Sequence, residues 1–148
     1  MFRGSSIHTI DPKGRLIIPS RFRDVIKASC NDGVMVTGWD NCLYAYTAEE
    51  WSKVEAKILA RSNKGKAMRR FQRKFLGGAV ECRCDKQGRI LIPPFLKKYS
   101  GLKKEVVLAG ILYRFEIWSK ENWEKEDEKL DEDLTNEFVE NQIAELGL

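Results

Sequence analysis

The stretch DPKGRLIIPSRFR (Asp11–Arg23) returns as DKQGRILIPPFLK (Asp85–Lys97), at an offset of 74 residues. Five of the thirteen positions are identical. Four more are conservative: Leu16/Ile90, Ile17/Leu91, Phe22/Leu96 and Arg23/Lys97. The duplication extends beyond this motif. VMVTG (Val34–Gly38) is answered by VVLAG (Val106–Gly110) and YTAEEW (Tyr46–Trp51) by WSKENW (Trp118–Trp123), both at an offset of 72, while MFRG at Met1 is loosely answered by KFLG at Lys74. An internal repeat of this kind constrains the fold more than any composition does. A unit of about 70 residues buries too little apolar surface to be secure alone, so the two copies must complete each other's core.

Each copy reads alike. A short strand (about 5–10, and 79–84) enters a turn at Asp-x-x-Gly-Arg. A β-branched run follows, LIIP or ILIP, and proline closes it and opens a short helix; Pro94 suits the first helical position, where its missing N–H is no loss. Phe22, Val25 and Ile26 stand at i, i+3 and i+4 on one helical face. Strands are expected at about 33–38 and 42–46, and again at 105–110 and 113–118. A helix then closes each copy, with a capping-box pattern at Thr47 and Glu50 before Trp51 and a Ser119 cap before Trp123. The pattern predicts a pseudo-twofold core of β-hairpins with helices outside it. The organisation expected is a first repeat over 1–60, a basic linking helix over 61–76 and a second repeat with an acidic C-terminal helix over 77–148.

Charge is segregated along the chain. The net charge is +4, but residues 119–148 hold three Lys against eleven Asp/Glu, a net −8, leaving +12 on the rest. A basic body implies a polyanionic partner. In the linking segment Ala67, Phe71 and Phe75 recur at helical spacing. Seven basic residues (Arg61, Lys64, Lys66, Arg69, Arg70, Arg73, Lys74) accompany them without an acidic one. That face is a solvated surface, or one that meets phosphates or the acidic tail. In the tail Leu130, Leu134 and Phe138, followed by Ile143, form a stripe expected to pack on the body or on a neighbouring subunit.

The repeated turn has separable parts. Gly14 and Gly88 supply the positive φ that a tight turn between strands needs. Asp11 and Asp85 accept hydrogen bonds from amides two residues on, and each stands four residues before an arginine it can steer. Arg15 and Arg89 present a planar fork of donors suited to phosphate oxygens or the O6/N7 edge of guanine. A single such pair would be read as a pin for a hairpin. Two in matching positions, with Lys13, Lys86 and Arg83 beside them, point to anion binding; Arg3 joins the candidate set from the matching MFRG. Spacing leaves open whether bases or only phosphates are touched.

Other chemistry has little support. His8 has no evident nucleophile partner, and Cys82 with Cys84 lacks further ligands, so no metal site, cofactor, small-molecule substrate or enzymatic activity is expected. Cys30, Cys42, Cys82 and Cys84 read as free thiols of a reducing compartment. No apolar run approaches a membrane span, and the N-terminus lacks the apolar region of a secretory signal. A cytoplasmic protein is expected. Trp51 and Trp123, equivalent in the repeat, read as packing residues. Trp39 falls in the turn expected within TGWDN and is expected at the surface.

The stretches MFRGSSIHTIDPKGRLIIPSRFR and DKQGRILIPPFLKKYSGL resemble the MraZ family, bacterial transcriptional regulators with two AbrB-like (swapped-hairpin) halves, and the resemblance covers essentially the entire chain. It implies an α+β fold with a pseudo-twofold, β-barrel-like core of two AbrB-type repeats and peripheral helices. It implies binding to double-stranded DNA at tandem promoter repeats ahead of the division and cell-wall gene cluster, commonly with repression. It further implies a homo-oligomeric ring and a nucleoid location. Asp11 and Arg15 fill the first family motif, Asp85 and Arg89 the second. A protein-interaction scaffold is the alternative, since AbrB-like folds also occur in antitoxins.

Overall fold

The computed structural model describes residues 1–29, 32–61 and 65–148. Cys30 and Lys64 therefore lie outside the described residues. The first copy supplies β1 (Ser5–Thr9), β2 (Arg15–Ile17), α1 (Ser20–Ala28), β3 (Gly33–Trp39), β4 (Cys42–Tyr46) and α2 (Ala48–Leu59). Helix α3 (Lys66–Phe75) leads to β5 (Val80–Arg83), β6 (Arg89–Leu91), α4 (Pro94–Ser100), β7 (Glu105–Gly110), β8 (Phe115–Ser119), α5 (Lys120–Asp133) and α6 (Glu137–Ala144).

The strands are exchanged between the copies. One six-stranded sheet has the order β1-β7-β8-β4-β3-β5, and β2 pairs with β6 in a separate antiparallel ribbon. Swapping the copies turns that order into its own reverse, which is the pseudo-twofold expected from the repeat. Strand β1 pairs with β7 and β5 with β3, so each leading strand serves the other copy's hairpin, while β4 and β8 meet at the centre.

Barrel-like closure does not form. Strands β1 and β5 are opposite edges of an open sheet, and the ribbon keeps its own ladder, joined by an isolated bridge from Leu16 to Ile10, the residue after β1. Each ribbon strand has three residues, too few to carry a staggered, tilted ladder around a barrel.

Period-2 alternation divides the core. Val34, Val36, Leu43, Ala45, Leu108, Phe115 and Ile117 face the ribbon, whose inward residues Leu16 and Ile90 are buried with Ile18 and Ile92 against them. Phe2, Phe22 and Phe115 form an aromatic trio, with ring centroids 5.0 to 5.3 Å apart, that joins both copies. Full burial of each such side chain stabilises by about 1.5–3 kcal/mol. The other sheet face carries Cys42, Tyr44 and Tyr46 beneath α2 and α3, with Trp51 and Phe75 above them, and Val107 and Trp118 beneath α5, with Trp123 edge-on to Trp118 at 6.0 Å.

Asp40 and Asn41 take φ of 54° and 60°, the two positive values of a tight hairpin turn. The turn therefore falls one residue later than expected. Trp39 ends β3, half-buried, with its ring edge-on to Phe71 at 5.0 Å. Thr47 Oγ1 accepts the Glu50 amide at 3.3 Å and Ser119 Oγ the Asn122 amide at 3.0 Å. The Glu50 carboxylate turns to Lys53 at 2.9 Å, leaving the capping box half made. The tail stripe finds no cover on the body: Leu130, Leu134, Phe138 and Ile143 are exposed, and neither α5 nor α6 has a buried residue.

Candidate nucleic-acid interface

The two turns are built alike. Asp11 Oδ1 accepts the amides of Lys13 and Arg15 at 3.0 and 2.9 Å, and Asp85 Oδ1 those of Gln87 and Arg89, both at 2.9 Å. The other carboxylate oxygen accepts arginine Nε, at 2.6 Å from Arg15 and 2.9 Å from Arg89. These bonds to the ionised form, the amide of the following arginine first among them, hold both carboxyls below the ordinary aspartate value. Exposed ion pairs add little to stability. The effect here is orientation. Only Nε is used, so both terminal nitrogens of Arg15 and of Arg89 remain without a protein partner among the described residues.

Glycine is required for two reasons. Gly14 and Gly88 have φ of 89° and 75°. A Cβ on Gly14 would also stand 2.7 Å from the carbonyl oxygen of Ile92, in the other copy.

The ribbon brings the two heads together. Arg15 lies opposite Leu91 and Arg89 opposite Ile17, so the arginines are diagonal neighbours, about 7–8 Å apart at the backbone. With Leu16 and Ile90 buried, the outward face is Arg15, Ile17, Arg89 and Leu91; Ile17 is 54% exposed and Leu91 57%. Both arginines line one groove, together with Asp11, Ile17, Lys97, Lys103 and Lys104. The equivalent groove at the second turn is lined by Arg23, Lys27, Asp32, Cys84, Asp85 and Lys86. Asp32 stands there at the position equivalent to Lys104, so the first groove is the more cationic.

The remaining candidates fall differently. Lys13 and Lys86 sit exposed at the tips of the turns. Arg83 ends β5, just before the second turn, and pairs with Glu81 at 3.4 Å. Arg3 lies before β1, at the end of that strand remote from the turn, and is not brought to the ribbon; its carbonyl accepts Arg21 Nε at 3.2 Å. The residue reading missed Lys97, Lys103 and Lys104. Lys97 had a signal, since a basic residue occupies the same place in both copies of the motif. The other two had none, because the amide of Ile10 reaches the carbonyl of Lys104, at 2.9 Å, through strand exchange between copies.

His8 is held below its ordinary pKa by burial and then by Arg21. Burial raises the thiols of Cys82, to about 11, and of Cys84. Among the described residues no three His, Cys, Asp or Glu side chains are grouped to hold a metal ion, and no helix is long and apolar enough to cross a membrane.

A family model described as "MraZ protein, putative antitoxin-like" matches residues 1–74 and again 75–142. The chain is 59% identical over 148 residues, all of both chains, to a protein of Desulforapulum autotrophicum named transcriptional regulator MraZ. It is 54% identical over 149 residues, again all of both, to one of that name from Desulfosudis oleivorans. A third, from Syntrophobacter fumaroxidans, is 49% identical over 119 residues, 80% of this chain and 79% of the relative.

Proposed function

The chain belongs to the MraZ family, and from that membership and the twin arginine turns we propose that it is a sequence-specific DNA-binding transcriptional regulator, acting as a repressor. The observation that carries the reading is the pair of arginine forks. Arg15 and Arg89 share one exposed groove, each held by its aspartate through Nε with its terminal nitrogens unspent. The major groove of duplex DNA admits a two-stranded β-ribbon. The outward face of β2–β6 then sets two guanidinium forks against guanine edges or phosphates, and Ile17 and Leu91 against thymine methyls. Lys97, Lys103 and Lys104, with the turn-tip lysines Lys13 and Lys86, engage the flanking phosphates; Arg83 lies within reach of the second turn. Asp11 and Asp85 aim the forks, and Gly14 and Gly88 permit the turns.

One subunit offers a small contact. Several subunits in a ring present it repeatedly, and tandem promoter repeats raise the effective concentration of each further contact. The proposed target is the set of tandem repeats ahead of the division and cell-wall gene cluster, read by a cytoplasmic, nucleoid-associated homo-oligomer that needs no cofactor. Affinity measured across a salt series tests this reading. Releasing counterions from about five phosphate contacts per subunit gives a slope of log K against log salt of about −4.5 per bound subunit, and steeper on tandem repeats. A flat salt dependence, or equal affinity for single and tandem sites, contradicts it.

A further inference from the structure

Helices α5 and α6 stand where the repeat offset of 72 puts α2 and α3, yet the two pairs end differently. Helix α3 folds back on the sheet: Phe75 is buried beside Trp51 and Tyr44, with ring centroids 5.7 and 6.4 Å away. Helix α6 carries no such anchor at its end: the residue 72 positions after Phe75 is Gly147. Helix α6 stays off the body, with Phe138 70% exposed. From Leu130 to Leu148 the arm carries six Asp/Glu, no Lys or Arg, and an uncovered apolar stripe. None of those six carboxylates makes an ion pair among the described residues.

A complementary surface lies on the first repeat. Between α2 and α3 is an apolar notch lined by Ile58, Ala60, Met68 and Phe71 and rimmed by Lys57 and Arg61. Leu59 beside it is 59% exposed. Along α3, Lys66, Arg69, Arg70 and Arg73 are exposed and make no ion pair among the described residues.

We infer that the α5–α6 arm of one copy docks in the α2–α3 notch of a second copy, its apolar stripe in the notch and its carboxylates on the α3 arginines. Charge complementarity selects this occupant, because a strand of phosphates matches the arginines and has nothing to place in the apolar notch. Donor and acceptor are different surfaces, so the contact is head-to-tail and generates a ring or a filament. The inference rests on the homo-oligomer proposed above and is independent of the ribbon's contact with DNA.

Charge reversal on the full chain tests it, with mass read by light scattering. Glu132→Lys/Glu137→Lys/Glu140→Lys on the arm, or Arg69→Glu/Arg70→Glu/Arg73→Glu on α3, each reduces the assembly to the single chain of 17.1 kDa. An equimolar mixture of the two variants re-forms it, which a folding defect would not allow. A photo-cross-linking residue at Phe138, in mixed light and heavy isotope-labelled native chains, marks Ile58, Met68 or Phe71 of the opposite label. Native mass in either variant overturns the inference, as does failure of the mixture or cross-links within one chain. Loss of DNA binding by the α3 variant at unchanged mass assigns α3 to DNA and overturns it too. A native chain that is monomeric at micromolar concentration refutes the ring itself, and this contact with it.

Discussion

The amide of Ile92 donates to the carbonyl of Gly14 at 2.8 Å, and the amide of Ile18 donates to the carbonyl of Gly88 at 2.9 Å. Each turn glycine is thus fastened to the residue that follows the ribbon strand of the other copy. The pair of bonds makes one rigid object of two motifs far apart in the chain. It also explains why the motif comes twice, since neither turn has its partner within its own copy.

Replacing either glycine therefore tests the ribbon. Gly14→Ala places a side chain at φ 89° and a Cβ 2.7 Å from a backbone oxygen. The expected loss is about 1–3 kcal/mol or more, read as a lowered denaturation midpoint. A variant as stable as the native chain contradicts the geometry.

The aspartates set a dependence on pH. Both carboxyls are lowered in the folded state, foremost by the amide of the following arginine. Their stabilisation is present above the unfolded aspartate value of about 3.9 and is lost as pH falls through the folded value. Carboxyl carbon resonances of Asp11 and Asp85, followed by NMR, should titrate below that value. Midpoints at or above it refute the assignment.

The aromatic trio supports both copies at once. Phe22 is fully buried against Phe2 and Phe115. Phe22→Ala is expected to lower stability by about 3–5 kcal/mol, measured by denaturant unfolding. A loss under 1 kcal/mol would mean that the shared core does not hold the copies together.

The lysines that the structure adds to the groove make a separable contribution. Lys97→Ala and Lys104→Ala should each weaken binding about equally across DNA sequences and make the salt slope shallower by about 1. A sequence-selective effect would assign them to base contacts.

Much of this was legible in the sequence. The hairpins followed from alternation, and the Asp-x-x-Gly-Arg turns from the chemistry of Asp, Gly and Arg. The exchange of β1 and β5 between copies was implied by the resemblance to swapped-hairpin halves, but residue patterns alone do not name pairing partners, which tertiary packing chooses, and so Lys103 and Lys104 were missed. Trp39 was misplaced because Asp40 and Asn41, both non-glycine residues at positive φ, make the turn by themselves, which leaves Trp39 as the last residue of β3. The barrel-like closure failed on the shortness of β2 and β6. The stripe in the tail was visible, but not that α6 ends without a buried aromatic such as Phe75 to fasten it to the sheet.

The central claim is that the duplicated strand serves the fold and the duplicated arginine serves DNA. The most direct test is the double variant Arg15→Ala/Arg89→Ala, with thermal midpoint and affinity for tandem-repeat duplex measured on the same sample. The account predicts a midpoint within a few degrees of native and an affinity reduced at least about thirtyfold, at 1–3 kcal/mol per lost bidentate contact. Native affinity for the duplex, with or without a lowered midpoint, would make the paired motif structural and contradict the account.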